Sequence, residues 1–283
     1  MIVKNKENLW IFGGSKGIGG VFTKRMLESG EYAISLFARS NPYNFAVDFV
    51  SVDFCKQDSF MQAFKKRLKE VEKIHHLVFF LKYRGGAENA FIGEIAVEIE
   101  TLKNVMENVS SFLENGASIV LVSSVCGALV ANNQGVEYHF AKAALEQMAR
   151  FYAVKLGNRN IRVNVVAPSL TLKPENALFY KEQTRLRELY SSICPLGRMG
   201  KSEDVCEVIE FLMRVGFMTG QVLRVDGGVS LQEYEGLIRS LVQKYLQKDL
   251  QIDTGDAMQC LNNLAGGGAY LAINRIASLK KGA

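Results

Sequence analysis

Short, almost unbroken apolar runs alternate along this chain with longer stretches whose apolar positions recur every three to four residues. The runs Leu9–Phe12, Ala33–Ala38, Val47–Val52, Ile74–Leu81, Ser118–Ser123, Ile161–Val166 and Gln221–Val225 predict strands. Several have no polar face, as strands covered on both sides require. Helical patterns fall near residues 18–29, 57–70, 94–113, 137–156, 175–190 and 203–214. The alternation predicts an α/β fold with a doubly wound parallel sheet and a ligand crevice at the carboxyl ends of its strands. After Gly228 the pattern changes. Residues 231–246 place Tyr234, Ile238, Leu241, Val242 and Tyr245 on one helical face, and Gly266–Gly268 then breaks the chain. The expected organisation is a catalytic domain over 1–230 and a helical extension of it over 231–283.

Composition narrows the class. With 48% apolar and 22% charged residues in 283, the chain can bury a large core. Its five cysteines, at 55, 126, 194, 206 and 260, include no CxxC pair. That spacing suggests neither metal site nor redox motif and fits reduced thiols in a cytoplasmic protein. The start, MIVKNKENLWIF, lacks a signal-like apolar core, and the longest apolar runs are strand-sized, so no membrane span is expected. A net charge of +5, spread along the chain, does not point to nucleic acid.

The candidate chemistry begins after the first strand, with Gly13-Gly14-Ser15-Lys16-Gly17-Ile18-Gly19 leading into a helix. Glycines there let backbone N–H groups approach phosphate, and the helix N-terminus adds positive potential. The spacing is GxxxGxG rather than GxGxxG, and a plain tight turn is the alternative. The second strand ends Phe37-Ala38-Arg39-Ser40, with no carboxylate to repel a ribose 2′-phosphate. Arg39, with Lys16, therefore favours NADP(H), unless Arg39 merely ends a strand in water. Asp53 fits either an adenine contact or a loop cap. Tyr138 and Lys142 stand at i and i+4, one helical turn apart, where an ammonium lowers the pKa of a phenol so that it exchanges protons at neutral pH. Alone, that pair reads equally as a surface contact. Upstream, Ser124 follows a strand and is placed to bond a substrate oxygen.

Glycine turn, Ser, then Tyr and Lys, in this order, resembles the short-chain dehydrogenase/reductase family over about residues 8–230. The resemblance includes Asn160-Ile161-Arg162-Val163-Asn164-Val165-Val166-Ala167-Pro168, Pro195-Leu196-Gly197-Arg198-Met199-Gly200 and Thr219-Gly220-Gln221-Val222-Leu223-Arg224-Val225-Asp226-Gly227-Gly228. It implies a Rossmann-type fold, an NADP(H) cofactor, a small carbonyl or alcohol substrate, and a homodimer or homotetramer. By the same resemblance Tyr138 is the general acid/base, Lys142 lowers its pKa and holds the nicotinamide ribose, and Ser124 positions the substrate oxygen. Gly13, Ser15, Gly17, Ile18 and Gly19 line the pyrophosphate. Lys16 and Arg39 match the NADP-preferring pattern, Asp53 and Phe54 flank the adenine, and Pro168, Leu170 and Thr171 meet the carboxamide and diphosphate.

The chain departs from the family pattern at several places. Phe12 replaces the usual Thr before the glycines. Phe79-Phe80-Leu81-Lys82, followed by Tyr83-Arg84-Gly85-Gly86, stands where an Asn-Asn-Ala-Gly run is common, and Ser169 replaces a Gly. The helix that supplies a relay Asn in the family offers Glu98. His139 is expected to be structural, His75 and His76 surface or turn residues, and Arg84 either a solvated loop residue or a reach to a substrate anion. Leu170–Pro195, with Lys173, Lys181, Arg185 and Arg187, is expected to cover the site; its basic face suits an anionic substrate or plain solvation. The activity expected is interconversion of a ketone and a secondary alcohol, with a 3-oxoacyl thioester or a sugar-like ketone both open. The alternative is a catalytically idle cofactor-binding scaffold.

Overall fold

A computed structural model describes residues 6–249, the side chains of Ala87 and of 243–249 excepted. Cys260 and the Gly266–Gly268 break lie outside the described residues, and Tyr245 lies where no side chain is described. The chain divides into two compact units: Met1–Arg187 with Met199–Gly227, and Glu188–Arg198 with the chain from Gly228 on.

In the first unit the elements run β1 (Glu7–Phe12), α1 (Gly17–Ser29), β2 (Tyr32–Ala38), β3 (Asp48–Ser51), α2 (Gln57–Leu68), β4 (Ile74–Phe79) and α3 (Ala90–Glu94). A π-helical stretch, Ile95–Glu100, joins α3 to α4 (Thr101–Val109). Then come β5 (Leu113–Val122), α5 (Val136–Leu156), β6 (Arg162–Pro168), β7 (Thr171–Leu172), α6 (Ala177–Glu182) and α7 (Thr184–Ile193), whose residues from Glu188 belong to the second unit, followed by β8 (Gly200–Lys201), α8 (Ser202–Arg214) and β9 (Val222–Val225). Seven strands form one sheet in the order β3-β2-β1-β4-β5-β6-β9, every pair parallel. This is the doubly wound Rossmann-type sheet that the alternation predicts. β7 and β8 make a separate two-residue parallel pair too short to show in the sequence pattern. The helix expected over 175–190 is broken at Gln183, which leaves helical backbone at ψ 65.

The apolar runs split by the two-residue period of a strand. On β1, Trp10 and Phe12 point to the face covered by α2, α4 and α5, while Leu9 and Ile11 meet Phe22 of α1 and Ile209 of α8 on the other. Two departures from the family pattern prove to be one feature. Phe12 pairs in register with Phe37 of β2 and Phe79 of β4, and the three rings stack at 4.7 and 4.5 Å between centroids. An apolar ladder thus occupies strand ends that usually carry polar side chains, with each ring supported by its cross-strand neighbour.

Buried polar groups in β6 fix the opposite edge. Asn164, fully buried, donates to the Met218 carbonyl at 2.7 Å and accepts from the Gln221 N–H at 3.0 Å. Arg162 donates to the Leu212 and Met213 carbonyls at 2.7 and 2.9 Å, satisfying the end of α8. Asn164→Ala should therefore remove two hydrogen bonds to part-buried backbone groups and cost about 1–3 kcal/mol. A shift in the urea midpoint at constant slope measures it; a shift worth under about 0.5 kcal/mol excludes this account.

In the second unit Gly228 adopts φ +88, and a Cβ there would lie 3.1 Å from the Pro195 ring. Gln232 donates to the Ile193 carbonyl at 2.7 Å, and α9 (Tyr234–Asp249) follows. Among the described residues no helix is long and apolar enough to cross a membrane.

Candidate active site

At the carboxyl ends of β1, β2, β4, β5 and β6 lies a cleft of about 460 Å³. Its volume falls in the range of small-molecule and cofactor sites. One end is the glycine turn. Gly13 and Gly17 have φ of +80 and +59, backbone that favours glycine. A Cβ on Gly13 would press within 2.8 Å of the Phe80 carbonyl oxygen, whereas one on Gly17 would project into the cleft. α1 opens at Lys16 with no side-chain cap and no acidic residue in its first turn. An uncapped helix N-terminus facing a cleft is suited to phosphate. Ser15, Lys16, Gly17, Ile18 and Gly19 line this end, joined by Arg39, Ser40 and Phe54. Neither Lys16 nor Arg39 has a described carboxylate within 4.0 Å. The residues present therefore fit a phosphorylated dinucleotide.

Two expected cofactor contacts do not line the cleft. Asp53 does not line the cleft; its Oδ1 accepts from the Cys55 N–H at 3.1 Å, the loop-cap role. Thr171 is buried in β7 and donates to the Ser169 carbonyl at 2.9 Å, leaving Pro168 and Ser169 to form that wall. Of the basic segment after β6, Lys173 and Glu175 reach the cleft, and Lys181, Arg185 and Arg187 do not.

The other end brings Ser124, Tyr138 and Lys142 together. Ser123 is drawn to α5, near the Lys142 carbonyl and Glu146 Oε1 at 3.2 Å each, while Ser124 closes the following turn by accepting from the Cys126 N–H. Ser124 also lies within reach of the Tyr138 phenol. Burial pushes the Tyr138 pKa above its ordinary value; Lys142 and Ser124 pull it down, and Glu98 opposes them. The expected lowering by Lys142 is thus present but outweighed, because taking the phenolate out of water costs more than the ammonium returns. His139 is structural: Nε2 accepts from the Ala131 N–H at 3.0 Å and Nδ1 faces the Gly135 carbonyl at 2.8 Å. His76 corrects the expectation of a surface residue; it is buried within β4, 3.0 Å from Glu7.

Lys142 is 2% exposed, and its ammonium donates to Glu98 Oε1 and Oε2 at 2.8 and 2.7 Å and to the Leu81 carbonyl at 3.2 Å. All three N–H directions are used. Glu98 has no exposed surface, and burial pushes its carboxyl up to about 7 against the pull of Lys142. The Glu94 carboxyl, which accepts from the Tyr83 N–H at 3.2 Å, raises it further. The π-helical stretch presents Glu98. Gln57 Nε2 donates to the Ala96 carbonyl at 2.7 Å, and the Thr101 hydroxyl reaches the same oxygen at 3.0 Å. These side chains enter the helical ladder, whose local bond becomes i→i+5.

The sequence pattern alone did not mark Lys82. Its ammonium lies 4.7 Å from the centre of the Tyr138 ring, closer than that of Lys142 at 5.4 Å. The signal was available only as the unusual end of β4.

A family model described as Enoyl-(Acyl carrier protein) reductase matches residues 21–230. The chain belongs to the short-chain dehydrogenase/reductase family. Carbonyl reductase family member 4 of Danio rerio is 29% identical over 237 residues, covering 78% of this chain and 97% of its own. The 3-oxoacyl-[acyl-carrier-protein] reductase FabG of Thermotoga maritima is 38% identical over 139 residues, 48% of this chain and 55% of its own. Among solved structures, ElxO with NADP bound superposes with a TM-score of 0.68 at 23% identity, covering 80% of this chain and all of its own. The chain is therefore an oxidoreductase of this family with its Rossmann-like fold.

Proposed function

We propose that this short-chain dehydrogenase/reductase is an NADP(H)-dependent reductase of a small carbonyl compound, with Tyr138 as the proton donor. The observation that carries the reading is one continuous cleft. It joins an uncapped helix N-terminus flanked by unpaired Lys16 and Arg39 to Ser124 and Tyr138. When bound, the nicotinamide supplies the hydride. Ser124 orients the carbonyl oxygen, and Tyr138 delivers a proton to it as negative charge develops. A phenol whose pKa is raised by burial is protonated at neutral pH, which suits reduction rather than alcohol oxidation. Lys142 and its Glu98 partner fix the Tyr138 face of α5. The carbonyl reductase and 3-oxoacyl reductase relatives support the reaction class, and the NADP in ElxO supports the cofactor.

NADPH oxidation with a panel of ketones tests the activity. For the cofactor, Arg39→Asp should weaken NADPH binding about tenfold to hundredfold and NADH binding far less, since a charge-assisted bond to the 2′-phosphate is replaced by repulsion. Equal losses, read by fluorescence titration, would refute the assignment.

A further inference from the structure

The cleft holds more positive charge than its proposed cofactor end needs. Six cationic side chains line it, Lys16, Arg39, Lys82, Arg84, Lys142 and Lys173, against one lining carboxylate, Glu175. Lys142 is held by Glu98 at 2.7 Å. Lys16 and Arg39 stand at the glycine turn and the end of β2, and the Lys173 side chain also lies beside Gly17. Lys82 and Arg84 remain. Both follow β4, both are exposed to the cleft, and neither has a described carboxylate within 4.0 Å. Lys82 sits at the chemical end, its ammonium over the Tyr138 ring. Resting cations crowd one another there: the pKa of Lys82 is lowered by burial and then by Lys142 and Arg84. An arriving anion would relieve that repulsion.

We propose that Lys82 and Arg84 form a subsite for an anionic group on the substrate, a carboxylate or phosphate monoester carried close to the ketone. The proposal rests on the ketoreductase reading and deepens it by naming the substrate class. The placement supplies the reason. A carbonyl oxygen engaged by Tyr138 brings its near substituents beside Lys82, and an unpaired ammonium there favours a negatively charged neighbour. Arg84 adds a planar fork that fits either anion. The subsite occupies the stretch where this chain departs from the Asn-Asn-Ala-Gly pattern of its family.

The test compares matched ketones with the full chain and NADPH: acetoacetate against methyl acetoacetate, and dihydroxyacetone phosphate against dihydroxyacetone. In at least one pair the anion should have kcat/KM about tenfold to hundredfold above its neutral partner. In Lys82→Gln that ratio should fall towards one, with Arg84→Gln intermediate and the Kd for NADPH changed less than about threefold. The responding pair identifies a keto acid or a phosphorylated ketone. Equal kcat/KM within both pairs overturns the subsite while leaving the ketoreductase reading intact. Variants that keep the ratio but lose NADPH affinity assign both cations to the cofactor's phosphates and overturn it too. If NADPH binds and none of the four ketones is reduced, the ketoreductase reading fails by itself. Calorimetry of acetoacetate and dihydroxyacetone phosphate on the NADPH-loaded protein then decides the subsite: Lys82-dependent binding supports it, and no binding overturns it.

Discussion

Tyr138→Phe should lower kcat for ketone reduction by about 10²–10⁴-fold, the span of a positioned proton donor. The substitution removes one oxygen and keeps the ring that Lys82 and Lys142 face at 4.7 and 5.4 Å. Folding and NADPH binding should therefore change little, so the loss appears in kcat. The direction of the Tyr138 shift adds a pH signature. Because the phenol is held above its ordinary value, reduction should stay level through neutral pH and fall only as the phenol ionises at high pH. Alcohol oxidation, which needs the phenolate, should rise over the same range. Steady-state rates in both directions check this, and turnover that survives in the Phe variant removes Tyr138 from the mechanism.

Lys142→Met should destabilise the protein by about 2–4 kcal/mol, because the Leu81 carbonyl and both Glu98 oxygens lose their donor. Glu98, with no exposed surface, also loses the ammonium that pulls its pKa down, so its carboxyl is protonated at neutral pH. Adding Glu98→Gln should restore little at neutral pH and more as rising pH forces the unpaired carboxyl to ionise, because the amide needs no counter-charge. Denaturant unfolding of the single and double variants at neutral and alkaline pH reads the difference, and a gap between them that does not widen with pH would exclude an unpaired Glu98 carboxylate as a cause. The same carboxyl gives stability a pH dependence. Its folded pKa, about 7, lies above the ordinary 4.5, so the folded state binds this proton more tightly than the unfolded chain. Stability from this group is present at low pH and is lost as pH rises through about 7. Relative to Glu98→Gln, the wild type should therefore lose stability between about pH 4.5 and 7. Parallel curves for the two proteins would rule that titration out.

Much of this molecule was legible in one dimension. Strand runs apolar on both faces, glycines at a strand-to-helix turn, and an i,i+4 Tyr–Lys pair are local patterns. Their geometry follows from backbone periods, so the doubly wound sheet and the placing of Ser124, Tyr138 and Lys142 at its carboxyl edge could be read from residue order. Phe12 and Phe79 looked like separate departures because their meeting depends on strand register, which pairs residues far apart in sequence. Asp53 was ambiguous for a similar reason: a carboxylate after a strand can cap its own loop or face a ligand, and only the backbone path brings the Cys55 N–H to its Oδ1.

What the sequence by itself determined was the family, the sheet, the glycine turn and the order of the candidate catalytic side chains. The tertiary structure decided the electrostatics around them. Burial raises the Tyr138 phenol despite Lys142, a π-helical stretch turns Glu98 onto that lysine, and the end of β4 brings Lys82 over the tyrosine. Chain order carries periodicity, whereas desolvation and charge pairing depend on which distant segments exclude water together, and that exists only once the chain has folded.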